Sequence, residues 1–376
     1  MNCHRATETQ RQRDRKMKTQ LGKLVGRPRE QVRHLFLFLY FSVSLCLCGK
    51  AFAQNTDSLW VRPKDAGRSL IWGRRDGLVF GLPSPGGMRG PRGLIRVGVI
   101  GKNGAAELIN FIAVEPVVKG FGSRFSRMAF SELEMSELDA GTRGKRLWTA
   151  TPQGELTTLP AKPKPIERLS VRIEVEPFTA NRAHVYVVAS VYSDRPRELE
   201  LTVHHHDDSA PIEELTLTAT MGNYERVRYL WLKDRVVDSR ELYAGYSGDA
   251  FIDKENYPRD EMLTYGDGDA LALVTTNEDD PSSVAVVARP SWTYRSIKLT
   301  QYWRVPAWHI QPDLRVKVNG RRVYWASTTP IPGGLAFENF ELRQRYVPGQ
   351  AFVFGLTPKQ PWEFEPGIPR LAARPK

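Results

Sequence analysis

Five consecutive titratable side chains, His204-His205-His206-Asp207-Asp208, close a run of alternating character that begins at Glu198. Alternation puts His204 and His206 on one strand face, roughly 6.5–7 Å apart. Imidazoles at that spacing suit either of two chemistries. They can ligate zinc or another transition metal if a third ligand arrives from elsewhere, or they can exchange protons near neutral pH. Two histidines are not a full ligand set, and strand-end loops are where sheets carry their sites. His206 is therefore read as a general base or acid, and no metal or other cofactor is assigned. The structural alternative is a polar strand end that runs into an Asp-Asp-Ser-Ala-Pro turn.

A second constellation is Thr218–Leu232, T-A-T-M-G-N-Y-E-R-V-R-Y-L-W-L. As a strand it places Tyr224, Arg226 and Arg228 on one face, with Val227, Tyr229 and Trp231 opposite. Two guanidinium forks bind a carboxylate or sulfate bidentately, and the phenol can pass a proton beside them. The alternative is a solvated face backed by an ordinary aromatic core. Glu132 and Glu134 also share a predicted face. Paired carboxylates are the working parts of glycosidases, at about 5–5.5 Å or 6.5–9.5 Å, although neighbours on one strand rarely flank one bond. Glu115 directly follows the apolar run Phe111–Val114, and a carboxylate embedded in so apolar a stretch must be paired or functional. Trp292, Tyr294, Tyr302, Trp303, Trp308 and His309 fall within eighteen residues, and exposed rings such as Trp303 or Trp308 can stack on sugar faces. The acidic turns Gly266–Asp269 and Asn277–Asp280 fit no dedicated calcium loop. Phosphate-binding loops, dinucleotide fingerprints, G-x-S-x-G elbows and H-E-x-x-H motifs are absent from the sequence.

The elements that must hold these residues are strands. Gly93–Ile100, Leu108–Val118, Leu169–Val175, His184–Tyr192, Glu198–His206, Glu214–Thr220, Ala270–Thr276, Val284–Ala288, Ile297–Trp303 and Ala351–Leu356 are rich in Val, Ile, Thr and aromatics. Gly, Pro, Asn and Asp punctuate them. Asn319-Gly320 is predicted as a tight hairpin turn within Leu314–Trp325, Asn256–Leu263 as a short helix, and Thr151–Pro165 as a long exposed loop or hinge. The fold expected is all-β, a large antiparallel two-sheet sandwich.

Ahead of the strands, a basic leader, the apolar run Leu35–Cys48 and Ala51-Phe52-Ala53 form the pattern of a cleavable export signal. Cleavage near Ala53 would leave one domain over 54–376, secreted or periplasmic, with no integral membrane span. Residues 1–53 hold eleven basic and three acidic residues, so the rest carries 43 and 39, a net of +4 rather than the whole chain's +12. The basicity that would suggest nucleic acid mostly disappears. All three cysteines, Cys3, Cys46 and Cys48, lie in the leader as well.

The stretches Gly90–Gly98, Leu108–Lys119, Gly144–Trp148 and Ala219–Arg228 resemble exported bacterial proteins of uncharacterised type found among polysaccharide-degradation genes. The Gly–Phe-rich strand Ala351–Leu356 is similar to the last strand of galactose-mutarotase-like supersandwiches. The resemblance implies a carbohydrate context and a two-sheet architecture; no catalytic motif comes with it. The expected partner is an acidic or sulfated polysaccharide or oligosaccharide, and not nucleic acid. Three readings stay open. The first is β-elimination, with Arg226 or Arg228 holding a uronate while His206 or Tyr224 moves the proton. The second is glycoside hydrolysis through Glu115, Glu132 or Glu134. The third is non-catalytic glycan binding or an envelope role, carried by Trp303 and Trp308.

Overall fold

The computed structural model describes residues 59–63, 70–82, 95–118, 152–178, 181–221, 226–250, 252, 255–276, 299–323, 330–331, 333–364 and 368. All of them belong to the unit Asn55–Lys376. Among the described residues the structure is almost entirely strand, as β-branched and aromatic runs broken by turn residues dictate.

The first sheet contains β1 (Trp60–Val61), β2 (Leu70–Arg74), β3 (Leu78–Leu82), β4 (Ile95–Ile100), β5 (Ala106–Val118), β10 (Ile212–Met221), β18 (Ala336–Arg345), β17 (Arg315–Arg321) and β13 (Glu255–Pro258), in that spatial order. The second runs β12 (Val236–Asp238), β11 (Val227–Trp231), β15 (Asp269–Thr276), β16 (Thr300–Val305), β19 (Ala351–Thr357), β9 (Glu198–His205), β8 (Val185–Tyr192), β7 (Ile166–Glu174) and β6 (Gly154–Leu159). A further strand, β14 (Leu263–Tyr265), pairs with β15. Every described pairing is antiparallel.

The two sheets pack face to face. Leu215, Leu217, Phe340 and Leu342 from the first meet Leu199, Leu201, Val203, Phe352 and Phe354 from the second in one continuous core. Alternation then sends Thr216, Thr218 and Glu341 to the outer face of the first sheet. It sends Thr202, His204 and Tyr186 to the outer face of the second. A smaller apolar cluster, with Trp231, Leu271, Leu273, Tyr302 and Ile368, covers the β11–β16 part of that outer face and leaves the β7–β9 part to polar residues.

Three local expectations are corrected. Asn319-Gly320 is not a turn: β17 runs straight through it, with a bulge against β18. Gly320 is required there because a Cβ would meet the Tyr243 ring at 2.7 Å. The Asn319 side chain meanwhile accepts a hydrogen bond from the Asn339 amide. Thr151–Pro165 is not all loop, since β6 occupies its centre and pairs with β7. Asn256–Leu263 is a strand, a 3-10 turn at Arg259–Glu261 and the start of another strand. The short helix α1 (Ser239–Leu242) lies elsewhere, and the Asp238 side chain accepts from the Arg240 amide to cap its start. Val284–Ala288, Glu132, Glu134, Trp292, Tyr294 and Asn277–Asp280 lie outside the described residues. No helix among the described residues is long and apolar enough to cross a membrane.

Candidate functional site

The polar end of β7, β8 and β9 gathers Glu174, His184, Tyr186, His204, His206 and Asp208. Register explains how. Glu174 on β7 pairs with Tyr186 on β8, and Tyr186 pairs with His204 on β9. Beyond the last ladder pair, the His206 amide donates to the His184 carbonyl at 2.9 Å. Side chains in this cross-strand series stand on one face.

The rings interlock. His204 stacks on Tyr186 with centroids 4.8 Å apart and planes 7° from parallel. His206 lies 5.2 Å from the same phenol and stacks on His184 at 4.0 Å. The Arg172 guanidinium sits 3.6 Å from the Tyr186 centroid, a cation held over an aromatic face, and its Nε donates to Glu174.

Two carboxylates back the histidines. His184 Nδ1 lies 2.6 Å from Asp208 Oδ1. An ionised carboxylate only accepts, so Nδ1 carries the hydrogen and Nε2 is the basic nitrogen of the neutral ring. That contact, with the charge of the imidazole adding to it, holds the Asp208 carboxyl below the usual range. His206 Nε2 lies 3.0 Å from Glu174 Oε2, without the alignment of a hydrogen bond. Burial makes His204 harder to protonate, and the nearby Arg172 charge adds to the effect. Gly349, in the left-handed region at φ +75°, lets the chain pass His204 closely: a Cβ there would stand 3.1 Å from its Cε1. On the neighbouring loop the Tyr346 hydroxyl lies 3.1 Å from His205 Nδ1, and burial, with Tyr186 nearby, pushes that phenol up to about 12.

Chemically the face offers imidazoles oriented by carboxylates, a phenol and a half-exposed guanidinium, which are the parts of a proton-transfer site for an anionic substrate. Among the described residues no group of three or more His, Cys, Asp or Glu is arranged to hold a metal ion.

The site residues expected from sequence separate. His206 and His204 do share the face. Tyr224 lies outside the described residues. Arg226 and Arg228 are fully buried, which corrects their reading as a substrate-facing pair. Arg228 donates from Nε to the Leu335 carbonyl at 3.0 Å and from a terminal nitrogen to the Gly334 carbonyl at 3.3 Å. A guanidinium can be desolvated when backbone oxygens take its hydrogens. Trp303 is likewise a core residue at 0% exposure; its Nε1 donates to the Phe340 carbonyl at 2.9 Å, and it presents no ring face to a sugar. Trp308 is 79% exposed. Glu115 is buried at 3% on the first sheet, opposite Thr216.

Arg172, Glu174, His184, Tyr186 and Asp208 escaped the sequence reading as a set. Asp208 belonged to the flagged motif and His184 opened a predicted strand, but only the β7–β8–β9 register joins them.

No family model and no curated protein matches the chain. Among solved structures it is similar to a putative aldose 1-epimerase from Klebsiella pneumoniae, with 13% identity and a TM-score of 0.27. That alignment covers 77% of this chain and 79% of the other.

Proposed function

We propose that this is an exported, carbohydrate-active protein that acts on an acidic polysaccharide by β-elimination at the histidine face. The observation that carries the reading is the placement of His206 between the Glu174 carboxylate and the His184 ring, with Arg172 stacked on the adjoining Tyr186. Arg172 would hold the uronate carboxylate, whose partial neutralisation acidifies the proton on the neighbouring ring carbon. His206, oriented by Glu174, takes that proton. As the C–H electrons form the ring double bond, the bond to the leaving oxygen breaks, and Tyr186 or protonated His184 returns a proton to that oxygen. Hydrolysis through Glu115 has less support, because this carboxylate is buried on the opposite sheet.

The test uses the chain from Gln54 onward with acidic, sulfated and neutral polysaccharides. Ultraviolet absorbance of unsaturated uronides and reducing ends are followed together. Both should rise on an acidic glycan, and His206→Ala should lower turnover about 10²–10⁴-fold with glycan binding retained. Reducing ends rising alone would replace elimination by hydrolysis. Binding without any turnover would make the protein a non-catalytic glycan binder.

A further inference from the structure

We infer that Trp308 is a sugar-stacking platform at the mouth of the histidine face, so that the site takes a chain of several sugars rather than a single one. The inference rests on the glycan reading above and adds to it the length of the ligand.

Trp308 is far more exposed, at 79%, than the next large apolar side chain described, Leu59 at 45%. Single exposed hydrophobic residues are ordinary; this one is unusual in how firmly it is held. It sits in the 3-10 turn Ala307–His309 directly after β16. The Ala307 amide donates to Asp269 at 2.9 Å and the His309 amide to the Pro306 carbonyl at 2.8 Å. Gln344 Nε2 donates to the His309 carbonyl at 3.1 Å. The backbone on both sides of the indole is thus fixed, so a ligand that stacks on the ring does not have to order this turn as well.

The same turn is tied to the end of the sheet that carries the histidines. The Ala351 amide donates to His309 Nδ1 at 3.2 Å, and the Trp308 ring lies 6.1 Å from the His309 ring. Ala351 pairs with Thr202 on β9, two residues before His204, while Gly349 packs against His204 itself. From β16, which the Trp308 turn follows, across β19 to β9, which ends just before His206, is about 10 Å, wider than one pyranose ring. A ligand that touches both Trp308 and His206 therefore spans more than one sugar. The flat apolar faces of its rings suit the indole, and its carboxylates suit Arg172.

The experiment uses galacturonate oligomers of two, four and six sugars with the wild type, Trp308→Ala and Trp308→Phe. If the platform acts, Trp308→Ala raises KM for the hexamer about five- to tenfold. It leaves kcat and the dimer unaffected, and Trp308→Phe restores part of the loss. An unchanged hexamer, or an equal loss at every length, overturns the inference. If no oligomer is turned over, the elimination reading fails by itself, and hexamer binding by calorimetry decides this one. A five- to tenfold weaker Kd in Trp308→Ala upholds it, whereas an unchanged Kd, or no hexamer binding by the wild type, overturns it.

Discussion

His204 shows how the site tunes single residues. Its ring is covered on one side by Tyr186 and approached by Gly349, so protonation costs solvation, and the Arg172 charge adds to that cost. The stability consequence has a definite sign. Well above 6.5, the value of an unperturbed imidazole, folded and unfolded chains are both neutral at this position and the buried ring contributes fully. As pH falls through 6.5 the unfolded chain binds its proton first, and that contribution is lost. His204→Gln, which cannot titrate, should therefore show a smaller fall in urea midpoint between pH 7.5 and 5 than the wild type. Equal falls would mean that His204 is not desolvated. Much of this was legible in the sequence: alternation alone put His204 and His206 on one face. Arg172, Glu174 and Tyr186 were not, because they come from strands up to about thirty residues earlier in the chain. Local pattern says nothing of which residue a strand places opposite which. The two arginines that did look like an anion site, Arg226 and Arg228, are fully buried, and backbone carbonyls accept from Arg228 there. Composition cannot reveal that.

Strands were easier to read than the irregularities between them. Period-two alternation identified β5, β8, β9, β10, β15 and β19 close to their observed bounds, since each buries one face on the shared core. The errors fall where a residue type serves two geometries. Asn-Gly is the strongest short hairpin signal, yet glycine also marks places where something packs directly on the backbone. At Gly320 the second requirement wins, because the Tyr243 ring occupies the space a side chain would need. Gly320→Ala should accordingly destabilise the protein by about 1–3 kcal/mol through overpacking, read as a lower denaturation midpoint. A hairpin turn built on left-handed backbone would also be disturbed by alanine. The two cases separate in the double variant with Tyr243→Leu: relief of the Gly320→Ala penalty is expected only if the clash with the ring is its cause.

At the scale of the whole molecule, the two sheets, with nine and ten strands among the described residues, must stay in fixed register for the outer faces to keep their geometry, and apolar contact is poorly directional. Polar tethers that cross the core supply direction. Asn110 on β5 donates to Gln301 on β16, Tyr243 after α1 donates to the Val318 carbonyl on β17 at 3.3 Å, and Trp303 on β16 donates to the Phe340 carbonyl on β18. Trp303 does more than tether, since it also fills the core and meets Phe354 edge-on at 5.0 Å. Its role can be divided by substitution. Trp303→Ala removes both volume and hydrogen bond and should cost about 3–5 kcal/mol. Trp303→Phe keeps much of the volume but leaves the Phe340 carbonyl without its indole partner, a loss of about 1–3 kcal/mol. Both are measured by urea unfolding. Hexamer affinity of the folded Trp303→Phe protein should match the wild type, because the buried ring touches no ligand. A weaker affinity in that variant would show that the register between the sheets, and not only the outer face of one of them, sets the geometry of the site.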